Sequence, residues 1–217
     1  MTDYAAARLT MVQNQLLPNR LTDAGVTAAM LAVPRERFVP ESLAGVAYLD
    51  EDIPLGRGRY LMEPRVFARL LQAAEIQEDD VVLDVGCGNG YSSAVISHLA
   101  GAVVALEEDG ELARAAGELL AELERDNVAV VSGTLRDGHP GQGPYDVVFV
   151  NGSIEAPPEV LVDQLSDAGR LVCVVGGARI GRATVVARRG ETGDARPLFD
   201  AAVPPLPGFA RAAGFVF

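Results

Sequence analysis

One stretch limits what this chain can fold into more than any other. From Val81 to Ser93 it reads Val-Val-Leu-Asp-Val-Gly-Cys-Gly-Asn-Gly-Tyr-Ser-Ser. Its first half is an apolar run of strand length without alternation, the pattern of a strand buried on both faces of a parallel sheet. The run stops at three glycines on alternate positions, Gly86, Gly88 and Gly90, and a helical pattern follows through Ala94, Val95 and Leu99. Strand, glycine turn and helix in direct succession make a nucleotide site at the carboxyl end of a parallel sheet. Missing side chains let the backbone approach a ligand, and the new helix offers free N–H groups.

The rest of the chain supplies the sheet. Pro64 suits the first turn of a helix whose face is Val66, Phe67, Leu70, Leu71 and Ala74. Units then alternate: strand 81–85, helix 91–100, strand 102–107, helix 110–125, strand 128–132, strand 146–151, helix 158–166 and strand 170–175. Strands separated by helical patterns imply crossovers, hence a doubly wound, mostly parallel α/β sheet of Rossmann-like type. After Gly176 and Gly177, Thr184–Arg188, a Gly190–Gly193 turn and Leu198–Val203 read as an antiparallel hairpin at its edge. Upstream, residues 4–33 read as two helices, one with a Leu9, Val12 and Leu16 stripe, the other starting after Thr22 as N-cap. Pro34 to Pro64 has no sustained period, and a long irregular segment in a compact domain is usually functional or mobile. The expected division is 1–64, N-terminal helices and active-site loop, and 65–217, the sheet domain with its hairpin, together one compact unit.

Composition removes several chemistries. All 18 positive residues are arginine, which rules out a Walker P-loop lysine, a Schiff base and a lysine general base. The two histidines, His98 and His139, stand apart from each other and from the two cysteines, so no metal site is expected. A formal net charge of −12 argues against nucleic acid as a partner. No apolar run approaches the ~20 residues needed to span a bilayer. The start lacks a basic segment leading into an apolar core, so no signal peptide is expected, and the chain reads as cytoplasmic.

The loop spacing narrows the ligand. A dinucleotide fingerprint would place glycine at position 91, where the chain has Tyr91; Asp84-x-Gly86-x-Gly88-x-Gly90 instead resembles the first motif of S-adenosylmethionine-dependent methyltransferases. The second strand ends at Glu107, about 20 residues beyond the loop, where a carboxylate accepts ribose hydroxyls. Glu108 and Asp109 beside it are solvated or cap the next helix. Asp84 has two readings, an anchor for the loop's backbone N–H groups or the holder of a methionine amino group. Thr134, after the third strand, is either an adenine contact or a turn threonine. Asn151 ends the fourth strand, near where a transferred methyl would lie.

With these elements in place, the chain is similar to protein-L-isoaspartate O-methyltransferases. The similarity rests on Val33-Pro-Arg-Glu-Arg-Phe-Val-Pro40, Ala47-Tyr-Leu-Asp50, Pro54-Leu-Gly-x-Gly58, Val82-Leu-Asp-Val-Gly-x-Gly-x-Gly-Tyr91, Tyr145-Asp146 and Gly169-Arg-Leu-Val. It implies methyl esterification of abnormal aspartyl carboxylates in damaged proteins or peptides, as a repair activity. The implied cofactor is S-adenosyl-L-methionine, with S-adenosyl-L-homocysteine as product; no nucleic acid or membrane partner is implied, and the chain is a monomer or homodimer. The family's Gln-Thr-Ile-Ser loop is here Arg59-Tyr60-Leu61-Met62, so Tyr60 and Met62 stand at the hydroxyl positions of the active site. Thr134 and Asn151-Gly152-Ser153 also depart from the family pattern. Arg57, Arg59 and the Tyr60 hydroxyl are candidates to grip a carboxylate; the alternative is that both arginines are solvated loop residues. Two rival functions stand beside the main one: a methyltransferase with another acceptor, and a cofactor-binding protein whose transfer activity has lapsed.

Overall fold

The computed structural model describes residues 2–176, 180–189 and 192–209. Two N-terminal helices come first, α1 over Tyr4–Met11 and α2 over Ala24–Ala32. Aspartates cap both: Asp3 accepts from the Ala6 N–H at 3.0 Å and Asp23 from the Val26 N–H at 2.8 Å. The expected cap Thr22 lies one residue too early. Its N–H and hydroxyl donate to Gln72 Oε1 instead. Val12 and Leu16 of the predicted stripe are buried, while Leu9 is 45% exposed. A π-helical turn over Val12–Leu16 shifts the phase of the stripe between them.

The aperiodic stretch from Pro34 to Pro64 is ordered by short elements. Single 3-10 turns at Arg35–Phe38 and Glu41–Val46 lead into a small hairpin, β1 (Ile53–Gly56) and β2 (Arg59–Leu61). The alternation rule misses strands of this length. Its turn runs through Gly56, Arg57 and Gly58, all in the left-handed region. Helix α3 then spans Pro64–Ala74, with Pro64 in its first turn and its predicted apolar face fully buried.

The main sheet follows: β3 (Val81–Val85), β4 (Ala102–Glu107), β5 (Val128–Ser132), β6 (Tyr145–Ile154), β7 (Leu165–Val175), β8 (Gly181–Arg189) and β9 (Thr192–Ala201). Their order across the sheet is β5-β4-β3-β6-β7-β8-β9. The first five pair in parallel; β8 and β9 pair antiparallel at one edge, as the hairpin pattern implies. Residues 190 and 191 of its expected turn, like Gly177, lie outside the described residues. Helices α4 (Tyr91–Ile96), α5 (Gly110–Glu122) and α6 (Glu159–Val162) make the crossovers. The last is far shorter than the 158–166 expected: it ends at Val162, a turn follows, and β7 takes the last two residues, from Leu165, into the sheet. Alternate strand residues face two apolar layers. Val82, Val147, Phe149 and Val172 meet α1, α2, α3 and α4, while Leu83, Val148 and Leu171 meet Leu161 and Leu206 on the other face. The N-terminal helices thus share a core with the sheet.

Candidate active site

Strand β3 is where the winding direction reverses, since β4 and β6 lie on its two sides. In an open α/β sheet a ligand crevice opens there, beyond the strands' carboxyl ends. After Val85 the backbone passes through Gly86, Gly88 and Gly90 with φ of 76°, 59° and 94°. These are conformations in which a Cβ is disfavoured. The Gly86 and Cys87 N–H groups donate to the Leu106 carbonyl at 2.9 and 3.2 Å, tying the loop to β4. The loop is also closely packed by its own chain. A Cβ on Gly86 would lie 2.8 Å from Leu206 Cδ1, and one on Gly88 3.0 Å from Leu55 Cδ1.

Glu107, at the end of β4, is fully buried. Its Oε1 accepts from Arg59 Nη2 at 2.6 Å, from Arg59 Nε at 3.2 Å, and from the Glu108 and Asp109 N–H groups at 2.9 and 3.0 Å. Its Oε2 accepts from the Gly88 N–H at 2.8 Å. Glu107 thus ties the glycine loop to β2. A cavity of about 210 Å³ adjoins it, lined by Arg57, Arg59, Glu107, Glu108, Asp109 and Pro207. A buried carboxylate with acceptor capacity left on Oε2, beside a glycine loop and this cavity, fits the sugar of a nucleoside cofactor. Asp109 caps α5 by accepting from the Glu111 and Leu112 N–H groups, which settles one of its two sequence readings.

Asp84 accepts from the Ser92 hydroxyl at 2.7 Å, the Ser93 hydroxyl at 2.5 Å and the Asn151 side-chain amide at 2.5 Å. Each of these donors comes from a side chain, where the anchor reading expected loop N–H groups. Complete burial pushes the Asp84 carboxyl up to about 6; the three donors pull against this and nearby Glu107 adds to it. Ser92 and Ser93 are not among the residues predicted for the site, although their place in the first turn of the helix after the motif is the available signal. Asn151 lines the cleft from β6, and Thr134 lies exposed at the start of a 3-10 turn after β5.

The rewritten loop faces the same crevice. Tyr60 is 43% exposed, whereas Met62 is buried. Together with Asn151 they border two narrow cavities of about 10 Å³ each, room for about one water. The two arginines expected to grip a substrate carboxylate face the chain's own acids. Arg57 pairs with Asp109 and Glu111, and Arg59 with Glu107. The hairpin tip lies across the acidic end of β4, so these carboxylates are the nearest counter-charges. Arg59, 5% exposed, is not a solvated loop residue, whereas Arg57, its side chain 52% exposed in the hairpin turn, fits that alternative and pairs only at the surface.

The Pro-Arg-Glu-Arg-Phe segment braces this site from behind. Arg35 is completely buried, donating from Nε to the Ala47 carbonyl and from Nη2 to the Met62 carbonyl, both at 2.7 Å. Its guanidinium lies 4.8 Å from the Tyr91 ring centroid, and burial holds its pKa below the usual arginine value. Phe38 meets Tyr91 edge-on at 5.5 Å, and its carbonyl accepts from the Asn89 side chain. Arg35 therefore fixes the backbone of Met62, a role no spacing rule revealed. Among the described residues, no group of three or more His, Cys, Asp or Glu side chains could hold a metal, and no helix is long and apolar enough to cross a membrane.

Comparison with known proteins places this architecture. Residues 8–196 match the family model described as protein-L-isoaspartate(D-aspartate) O-methyltransferase. Protein-L-isoaspartate O-methyltransferase 2 of Anaeromyxobacter sp. (strain Fw109-5) is 42% identical over 76% of this chain and 68% of its own length. The protein-L-isoaspartate O-methyltransferase of Methylorubrum extorquens (strain PA1) is 41% identical over 80% of this chain and 76% of its own. Among solved structures, a Plasmodium falciparum chain assigned to the same family, in complex with S-adenosyl-L-homocysteine, superposes with a TM-score of 0.79. That chain is 20% identical, over 95% of this chain and 99% of its own length, a likeness of fold.

Proposed function

The chain belongs to the protein-L-isoaspartate(D-aspartate) O-methyltransferase family, and on that premise we propose that it methylates the carboxylate of isoaspartyl and related abnormal aspartyl residues in damaged proteins. The methyl donor is S-adenosyl-L-methionine, and S-adenosyl-L-homocysteine is released. The observation that carries this reading is the family match over residues 8–196, with the matched glycine loop and Glu107 meeting at the reversal point of the sheet. The cofactor, when bound, supplies a methyl group on a sulfonium centre. The chain's own residues bind and orient. Gly86, Gly88 and Gly90 give backbone access, Glu107 takes the ribose, Thr134 the adenine edge, and Asp84 the methionine ammonium. Tyr60, Met62 and Asn151 border the acceptor.

An acceptor carboxylate is ionised already and needs no general base. What the protein contributes is proximity and in-line geometry in a cleft that excludes water. Without the family's serine and threonine hydroxyls, each hydrogen bond lost to the carboxylate removes about 1.5–3 kcal/mol, roughly ten- to a hundredfold in rate. That slows the reaction without abolishing it. We place the protein in the cytoplasm, acting on protein or peptide substrates as a monomer or homodimer without nucleic acid, consistent with its charge of −12.

Incubation with methyl-labelled cofactor and an isoaspartyl peptide tests the reading: a base-labile ester that releases methanol is expected, and none above background refutes it. A second reading, transfer to another acceptor, is favoured by the narrow cavities beside Tyr60 and Met62. The double variant Tyr60→Thr with Met62→Ser separates the two. A gain of about tenfold or more over an already active parent supports the repair reading, and activity confined to the variant supports the second.

A further inference from the structure

Arg59 occupies the position where the family carries glutamine, and two features of its surroundings give it a ligand. The first is the uneven loading of Glu107. Four N–H donors converge on Oε1, two from Arg59 and two from the backbone, while Oε2 takes only the Gly88 N–H. A carboxylate oxygen offers two lone pairs, so Oε1 is full and Oε2 has room for one more donor. A ribose diol brings two hydroxyls, and Glu107 alone receives one. The second feature is Arg59 Nη1. Nε and Nη2 form the guanidinium edge that meets Glu107; Nη1, on the other edge, is buried and has no hydrogen-bond partner among the described residues. Buried donors in native proteins are almost always satisfied, so an orphan on a residue that lines a cavity points to a ligand atom. Arg59 and Glu107 line the same cavity of about 210 Å³.

We propose that Arg59 is a cofactor-binding residue, which reads the ribose jointly with Glu107: one hydroxyl donates to Glu107 Oε2 and the other accepts from Arg59 Nη1. This rests on the proposed use of S-adenosylmethionine, and moves Arg59 from the acceptor side of the site to the cofactor side. The two hydroxyls become inequivalent, because a cationic donor holds one and an anionic acceptor the other.

The experiment is a calorimetric cycle with S-adenosylhomocysteine and its 2′-deoxy and 3′-deoxy analogues, on the wild-type protein and on Arg59→Gln and Arg59→Lys. Thermal melts check that each variant is folded. In the wild type both deoxy analogues bind weaker, by about tenfold or more. Arg59→Gln weakens S-adenosylhomocysteine by a similar factor, and in it one deoxy analogue, and only one, binds as well as the parent ligand. Arg59→Lys keeps a cation for Glu107 but lacks the third nitrogen, and shows the same selective loss. Equal discrimination against both analogues in wild type and variants overturns the proposal. So does tighter binding of S-adenosylhomocysteine by Arg59→Gln, which makes Arg59 a plug that the ribose displaces. Failure of the wild-type protein to bind S-adenosylhomocysteine overturns the methyltransferase reading itself, and this assignment with it.

Discussion

Replacing Arg35 by methionine measures how much of the site depends on one buried guanidinium. Arg35 donates to two backbone carbonyls at 2.7 Å, Ala47 and Met62, which lie 12 and 27 residues along the chain. Hydrogen bonds from a charged group contribute about 1.5–3 kcal/mol each, so the pair is worth roughly 3–6 kcal/mol. Methionine fills most of the volume but donates nothing, leaving both carbonyls without this donor. It also removes a cation whose burial is itself unfavourable, the reason its pKa is depressed. That relief offsets part of the loss, leaving a net destabilisation of about 2–4 kcal/mol. For a chain of this length, 1 kcal/mol moves the melting temperature by about 2–4 °C, so differential scanning calorimetry registers a fall of roughly 4–16 °C. Arg35→Lys falls between, because one ammonium cannot fork to carbonyls on two segments. The functional readout separates bracing from general damage. Freeing Met62 raises KM for an isoaspartyl peptide, whereas the glycine loop, which touches this segment through Asn89 and Tyr91 but is also tied to β4 through the Leu106 carbonyl, keeps its affinity for S-adenosylhomocysteine within about threefold. A melting temperature within about 1 °C of the parent refutes the argument, as does loss of cofactor affinity with KM unchanged.

Asp84 gives a pH signature. Its folded value of about 6 lies above the ordinary 3.8. Between these values the folded chain therefore holds a proton that the unfolded chain has released, and stability falls as pH rises through that window. A ligand ammonium pairs with the ionised form. Calorimetry should show S-adenosylhomocysteine affinity rising by up to about tenfold per pH unit below 6 and levelling above it. 5′-Methylthioadenosine, which has no ammonium, should show a flat profile, and parallel profiles for the two ligands disprove the pairing. Gly86→Ala probes the loop: φ is 76° and the new Cβ falls 2.8 Å from Leu206 Cδ1, so roughly 1–3 kcal/mol of stability is lost. Affinity for S-adenosylhomocysteine should drop by about tenfold or more as the loop shifts; unchanged affinity means the ligand does not lie against Gly86.

The architecture was legible because its signals are local. A buried parallel strand announces itself as an unbroken apolar run, and Val81–Val85 did so; a helix start shows in its first turn, as at Pro64. The errors lie where one element competes with another for the same residues. Helical spacing over 158–166 lost to β7, which extends back to Leu165 and pairs it with Tyr145. The hairpin at Ile53–Leu61 left no periodic trace, because strands of four and three residues are too short to alternate detectably.

The site was legible in its backbone and obscure in its charges, for the same physical reason. Glycine's conformational freedom is written in the sequence itself, but an ion pair depends on where two distant segments come to lie. Arg57 and Arg59 differ by two positions and a left-handed turn, yet one ends on the exposed first turn of α5 and the other wholly inside against Glu107, 48 residues away. The bulge between Pro54 and Gly56 in the pairing of β1 with β2 sets Arg59 opposite Gly56, and Arg59 lies on the buried face of β2. Moving that register by one residue would put Tyr60 at Glu107 and turn Arg59 outward. The identity of the residue that pairs with Glu107 is thus decided by hairpin register, and a chain with the same composition and a different bulge would present a different site.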